Sequence, residues 1–253
     1  YKHRAGHPEQ NMLYRPGRWF HDRNIEVTYR RSDKPASLPA VGSLPKTLAL
    51  LKAKKKLTLG ISGDSISTGA DASGVSKAYP FQPGFADLVA AQLGATFRNE
   101  IVLKNRAVGG WSVANGVNDL PKLLESKPDL IVVAYGMNDV GRKDPKWYGQ
   151  RTREIIDRIH KELPETEIIL VSSMLGNAEW VHTPRDMFAK YRDELKALCG
   201  EGIALADVTA VWDLFLKNKH DHDLTGNGLN HPNDFGHRLY AQAILALIGT
   251  NSP

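Results

Sequence analysis

Ser65 and His231 are the two side chains of this sequence whose types and surroundings suit a nucleophile and its general base. Ser65 lies in Ser62-Gly63-Asp64-Ser65-Ile66-Ser67, where an apolar run ends and the chain must turn. A serine in that place can turn its hydroxyl toward a crevice while its backbone N–H stays free, as attack on a carbonyl carbon requires. The wording differs from the Gly-x-Ser-x-Gly elbow of another hydrolase architecture. Taken alone, Gly-Asp-Ser also suits an ordinary tight turn with a helix-capping serine.

Three further clusters carry polar groups that such chemistry would use. In Asn105-Arg106-Ala107-Val108-Gly109-Gly110-Trp111-Ser112 the paired glycines let backbone approach a ligand and present an unhindered N–H, although they serve plain turns too. Tyr135-Gly136-Met137-Asn138-Asp139 follows an apolar run; the Asn138 amide can donate to a developing oxyanion, or the segment is a turn with local side-chain bonds. The last cluster, Asn227-Gly228-Leu229-Asn230-His231-Pro232, brings an imidazole from far along the chain. A loop histidine bonded to nearby backbone is its simpler reading. All four in this order, each at a strand end or on a closing loop, favour the catalytic reading.

The elements that must position these residues are legible from hydrophobic periodicity. Strands are expected at Leu57–Ile61, Ile101–Leu103, Leu130–Tyr135, Glu167–Val171 and Ile203–Leu205. Helices are expected at Phe81–Leu93, Val113–Leu124, after Pro145, and at Phe188–Leu198, Val208–Leu216 and Asp234–Ile248; Pro45 can open a short helix through Leu51. Near-continuous apolar strands alternating with amphipathic helices imply an α/β fold, a three-layer α/β/α sandwich around a doubly wound parallel sheet. Such sheets bind ligands beyond the carboxyl ends of their strands, where the first three clusters sit.

With these residues in view, the chain from about Leu57 to Ile248 resembles the SGNH, or GDSL-type, hydrolases. Gly63-Asp64-Ser65 matches the family's first block, Gly110 its second, Gly136-x-Asn138-Asp139 its third and His231-Pro232 its last. The resemblance implies a flavodoxin-like sheet and ester hydrolysis through an acyl-enzyme. It also implies an oxyanion hole from the Ser65 N–H, the Gly110 N–H and the Asn138 side chain. One position departs from the family: the aspartate usual three residues before the histidine is replaced by Gly228. An acceptor is still needed to hold the imidazole tautomer and stabilise the imidazolium. Asn227, a backbone carbonyl near Gly228, or Asp223 could supply it, with Asn227 or the backbone favoured.

Composition bounds the rest. Hydrophobic residues make up 42% and charged residues 24%, close to ordinary globular usage, so neither disorder nor a fibrous repeat is suggested. No apolar run reaches the roughly 20 residues of a membrane span. The only cysteine is Cys199, so no internal disulfide can form. Residues 1–56 hold 13 Lys and Arg against 4 Asp and Glu, and the remainder 20 against 24; the basic excess is confined to the amino-terminal arm, which speaks against a nucleic-acid partner. Residues 1–45, studded with prolines but alternating like a strand at Asn24–Tyr29, are expected to be an arm or the remnant of a preceding carbohydrate-binding β-domain, and 46–253 the hydrolase domain. The chain begins at Tyr1, which suits a processed product, and a secreted or periplasmic location is expected.

His220, Asp221 and His222 lack metal-ligand spacing and read as a solvated loop, so no metal and no cofactor is expected. His237 is expected to cap or pack. Trp111 and Trp180 fall on loops, where they could stack on a sugar ring or simply pack. The segment Gly63-Asp64-Ser65-Ile66-Ser67-Thr68-Gly69, followed by Ala70-Asp71-Ala72-Ser73, resembles bacterial carbohydrate esterases with an amino-terminal β-domain. The expected substrate is therefore a small acyl ester, acetyl on a carbohydrate. Alternatives are a lipid or thioester hydrolase, and a non-catalytic glycan-binding module.

Overall fold

The computed structural model describes residues 2–4, 7–12, 21, 40–180 and 182–249. The strand-like segment at Asn24–Tyr29 lies outside them. Near the amino terminus β1 (Lys2–Arg4) pairs antiparallel with β2 (His7–Met12). The body then runs α1 (Pro45–Lys52), β3 (Leu57–Gly63), α2 (Phe85–Phe97), β4 (Ile101–Asn105), α3 (Val113–Leu124) and β5 (Leu130–Ala134). A 3-10 turn at Val140–Arg142 leads to α4 (Pro145–Glu162), β6 (Glu167–Val171), α5 (Arg185–Lys196), β7 (Ile203–Ala206), α6 (Val208–Leu216), α7 (Asp221–Leu224) and α8 (Asp234–Ala246).

The five body strands are all parallel, in the order β4-β3-β5-β6-β7. Counted within this sheet, that is 2-1-3-4-5, the flavodoxin-like order. Every residue of β5, β6 and β7 is buried, because helices cover both faces. Helices α3, α4 and α5 pack side by side in one layer, and α8 packs against α2 and α6 in the other. Strand β4 is half-buried to exposed, as an edge strand is, and carries Lys104. Before α1, Val41 and Ser43 bond the far edge beside β7, and Leu44 is buried in the core. Glu167 at the start of β6 accepts the Lys46 and Thr47 N–H groups at 3.0 and 2.7 Å, capping α1 onto the sheet.

The predicted elements are present, with shifts at their ends. The helix expected from Phe81 starts at Phe85: Phe81 has φ +62° and lies exposed, and Gln82 N–H bonds Ser73 Oγ, so residues 81–84 belong to the preceding loop. The helix expected from Phe188 starts a turn earlier, at Arg185 after Pro184. The segment read as a solvated loop at His220–His222 contains one helical turn, α7, where Asp223 accepts the His220 N–H at 2.7 Å.

The order 2-1-3-4-5 fixes where a site can form. Chain direction across the sheet reverses between β3 and β5, so the loops after these two strands diverge and leave a crevice. Ser65 follows β3 and Asn138 follows β5.

Candidate active site

The turn that carries Ser65 is closed by hydrogen bonds to Asp64. Asp64 C=O accepts the Ser67 and Thr68 N–H groups, and Asp64 Oδ1 accepts the Ile66 N–H at 2.9 Å. Ser65 is thereby left half-exposed above β3. The loop after β4 is laced to this turn: Val108 N–H bonds Gly63 C=O at 3.1 Å, and Asn105 Nδ2 bonds Ser67 C=O at 2.8 Å. A Cβ on Gly109 would lie 3.8 Å from Ser65 Cβ, so this loop flanks the serine.

His231 reaches Ser65 from a closed loop at the other end of the chain. Thr225 and Pro232 form a bridge, and Gly226 N–H bonds His231 C=O at 3.0 Å. Asn227 Oδ1 fills the loop, accepting the N–H groups of Leu229, Asn230 and His231 at 2.9, 3.0 and 3.2 Å. This places His231 Nε2 2.9 Å from Ser65 Oγ.

The group facing His231 Nδ1 is Asp71, whose Oδ2 lies 3.3 Å away. Asn227 or a backbone carbonyl near Gly228 was the favoured acceptor; the structure corrects this, because the Asn227 oxygen is spent on three backbone N–H groups and the Gly228 carbonyl accepts from Asn177 Nδ2. Asp223 is engaged with the His220 N–H and does not take this place either. Gly226 makes room for the carboxylate: a Cβ there would stand 2.5 Å from Asp71 Cβ. Asp71 is absent from the sequence-based expectation although a signal existed. With Gly228 in the usual acidic position, an aspartate in a small-residue loop closely following the nucleophile was the natural substitute.

The residues expected to supply an oxyanion hole stand on the loops after β3, β4 and β5. Gly110 has φ +81°, a backbone that favours glycine, and a Cβ there would meet nothing within 4 Å, so the glycine is required by its backbone conformation and not by crowding. Among the described residues neither the Ser65 nor the Gly110 N–H is committed to a hydrogen bond. Asn138 Nδ2 gives one N–H to Trp111 C=O at 2.9 Å, which fixes the amide and leaves its second N–H to donate. Asp139 joins the two donor loops, accepting Val113 N–H at 3.0 Å and Gly136 N–H at 3.1 Å.

Residues 61–239 match the model of the GDSL-like lipase/acylhydrolase family, most of the chain. The chain belongs to that family. Solved structures agree on the fold. An α/β hydrolase from the metagenome of Lake Arreo, Spain, is 24% identical over 78% of this chain and 97% of its own, with TM-score 0.61. Axe2, an acetylxylan esterase from Geobacillus stearothermophilus, is 21% identical over 77% and 95%, with TM-score 0.62. A two-domain esterase active on acetylated mannans is 20% identical over 81% of this chain, which spans 52% of that protein, with TM-score 0.62. No curated protein sequence matches the chain. In Axe2 a serine, an aspartate and a histidine are described as catalytic, the aspartate three positions before the histidine.

Two buried carboxyl groups and a buried imidazole lie next to the residues of this GDSL site. Burial pushes Asp64 up to about 7 against the opposing Ile66 N–H bond, and pushes Asp139 up to about 6 against its two backbone donors. His237 is fully buried, and burial lowers it to about 4. It packs, as expected, but with defined partners: its Nδ1 accepts Phe85 N–H at 3.3 Å and its Nε2 bonds Ala70 C=O at 3.0 Å.

Trp111 and Trp180 are half-buried, and each stands on a loop bound to the site. Trp111 supplies the carbonyl that holds Asn138. Trp180 packs edge-on to His182, 5.5 Å between centroids, in the loop after β6. That loop is tied to the His231 loop by Asn177, whose N–H and Nδ2 bond Leu229 and Gly228 carbonyls at 2.8 Å each. His220 and His222 stack on one another, and Asp221 pairs with Arg185. Among the described residues no three His, Cys, Asp or Glu side chains are placed to hold a metal, and no helix is long and apolar enough to cross a membrane.

Proposed function

We propose that this family member is a serine acetylesterase that removes acetyl groups from carbohydrate, with Ser65 as nucleophile, His231 as general acid and base, and Asp71 as the third member. The observation that carries this reading is the continuous relay from Ser65 Oγ to His231 Nε2 at 2.9 Å and from His231 Nδ1 to Asp71 Oδ2 at 3.3 Å. With the Asp71 carboxylate accepting from Nδ1–H, Nε2 carries a lone pair toward the serine. The imidazole then takes the Ser65 proton as Oγ bonds the ester carbonyl carbon. The carbonyl oxygen becomes an oxyanion received by the Ser65, Gly110 and Asn138 N–H groups. Collapse breaks the bond to the sugar oxygen, which leaves with the proton held on Nε2. Water repeats the sequence on the acyl-enzyme, giving acetate and free Ser65.

The acid in this relay comes from the loop after the nucleophile, whereas Axe2 has it just before the histidine. In this chain the Asp71 carboxylate reaches His231 Nδ1, the nitrogen where the chemistry needs an acceptor. The carbohydrate reading is supported by the two polysaccharide esterases among the similar folds and by Trp111 and Trp180, whose flat faces suit sugar rings. The test is labelling by a fluorophosphonate probe located by mass spectrometry, combined with acetate release from acetylated xylan and mannan. Labelling at Ser65 with acetate release is expected; labelling elsewhere, or none, overturns the proposal.

A second reading has a specific observation behind it. Val75, Tyr79 and Phe81, exposed by 55, 76 and 61%, crowd the loop that carries Asp71, an apolar surface that a longer acyl chain could use. Initial rates on 4-nitrophenyl acetate and decanoate separate the two, because a preference for decanoate contradicts the acetyl assignment.

A further inference from the structure

We propose that the first turn of α8 is a clamp that holds Asp71 against His231, with Asp234 and His237 as positioning residues. The proposal rests on the reading of Asp71 as the acid of the relay. Asp71 sits in the long connection between β3 and α2, a poor place for a group that must keep one distance to an imidazole. The chain on both sides of it is gripped by α8. On the preceding side, Ala70 C=O accepts from His237 Nε2 at 3.0 Å. On the following side, Ser73 N–H donates to Asp234 Oδ1 at 2.7 Å, and farther along the same loop Gln82 Nε2 bonds the Asp234 carbonyl at 2.8 Å. The helix begins three positions after His231, and Asn233 caps it by accepting Gly236 N–H at 3.0 Å. One helical turn therefore sets the positions of both the base and its acid.

The tautomer of His237 is dictated by its partners. Phe85 N–H points at Nδ1, so Nδ1 must carry the lone pair and the proton must sit on Nε2, which then donates to Ala70. Full burial favours this neutral form. His237 thus has the chemistry of a fixed donor held in the core, and neither ring nitrogen is available to substrate. Asp234 is half-buried and acts as a fixed acceptor.

The test uses kcat and KM on 4-nitrophenyl acetate with the full chain. Asp234→Ala removes the acceptor for Ser73 from a half-buried site and should fold. It is expected to lower kcat about 10- to 100-fold, the scale of a misplaced catalytic group, with KM unchanged. Asp234→Asn and His237→Gln keep an acceptor and a donor, respectively, and are expected to retain most of the parent kcat. In an Asp71→Asn background, Asp234→Ala should add no further loss, since the residue it positions no longer acts. Unchanged kcat in Asp234→Ala, or a loss that multiplies fully with that of Asp71→Asn, overturns the clamp. Full activity of Asp71→Asn alone would instead sink the reading of Asp71 on which the clamp rests.

Discussion

Asp71 Oδ2 stands 3.3 Å from His231 Nδ1 across 160 positions of chain. Replacing the carboxylate by an amide lets the imidazole settle in the wrong tautomer and removes the charge that stabilises its protonated form. Asp71→Asn should therefore lower kcat by about 10²- to 10⁴-fold with little change in KM. Asp223→Ala removes a carboxylate that is engaged with the His220 N–H and should leave kcat within about threefold, the scale of a surface substitution. Steady-state kinetics on one aryl acetate checks both, and a large loss in Asp223→Ala alone would reverse the assignment.

The contact that admits Asp71 gives a second prediction. A methyl at Gly226 would sit 2.5 Å from Asp71 Cβ, and one of the two loops must move. Gly226→Ala is expected to reduce kcat by about 10- to 100-fold while the protein stays folded. Circular dichroism and kinetics measured together distinguish this from global unfolding, and undiminished kcat would show that the loops yield freely.

Asn138 holds one N–H on Trp111 C=O and offers the other. Asn138→Ala should cost about 100- to 1000-fold in kcat, with labelling of Ser65 by a fluorophosphonate retained but slower. A loss confined to KM would place the amide in substrate binding and outside the oxyanion hole.

The buried carboxyls predict an uncommon pH dependence of stability. Burial raises Asp64 to about 7 in the folded protein, so the fold binds this proton more tightly than the unfolded chain does. Stability from this group is complete below its ordinary pKa of 3.8 and is lost as pH rises toward 7; Asp139, raised to about 6, acts in the same direction. His237 opposes them: lowered to about 4 from 6.5, it supports the fold above 6.5 and weakens it as pH falls to 4. Asp64→Asn keeps an acceptor for the Ile66 N–H and removes the ionisation. Its Tm should exceed that of the parent at pH 8 by roughly 2–4 °C for each kcal/mol relieved, and the difference should vanish near pH 4. An equal Tm at pH 8 would refute the buried-proton account.

Much of this protein was legible in the chain. Apolar runs such as Leu130–Ala134 and Glu167–Val171, spaced by amphipathic helices, demand a parallel sheet covered on both faces, and the order of elements follows from that. Ser65, Gly110, Asn138 and His231 were visible because each lies in a short cluster whose meaning is local: a turn at a strand end, a glycine pair, a loop before a helix. Element ends were less secure. Phe81 has the apolar character of a helix position, yet Gln82 bonding Ser73 holds that stretch in the loop.

The acid partner of His231 was decided only in three dimensions. Asn227 was the nearer candidate in sequence, but its oxygen satisfies three backbone N–H groups that would otherwise be left unpaired in a buried loop. Asp71 could take the position because Gly226 leaves space and because α8 grips its loop from both sides. Sequence by itself determined which groups could react and at which edge of a sheet they gather, since turn chemistry and hydrophobic period act over a few residues. Which carboxylate faces the imidazole depends on contacts between segments distant in the chain, and only packing brings those together.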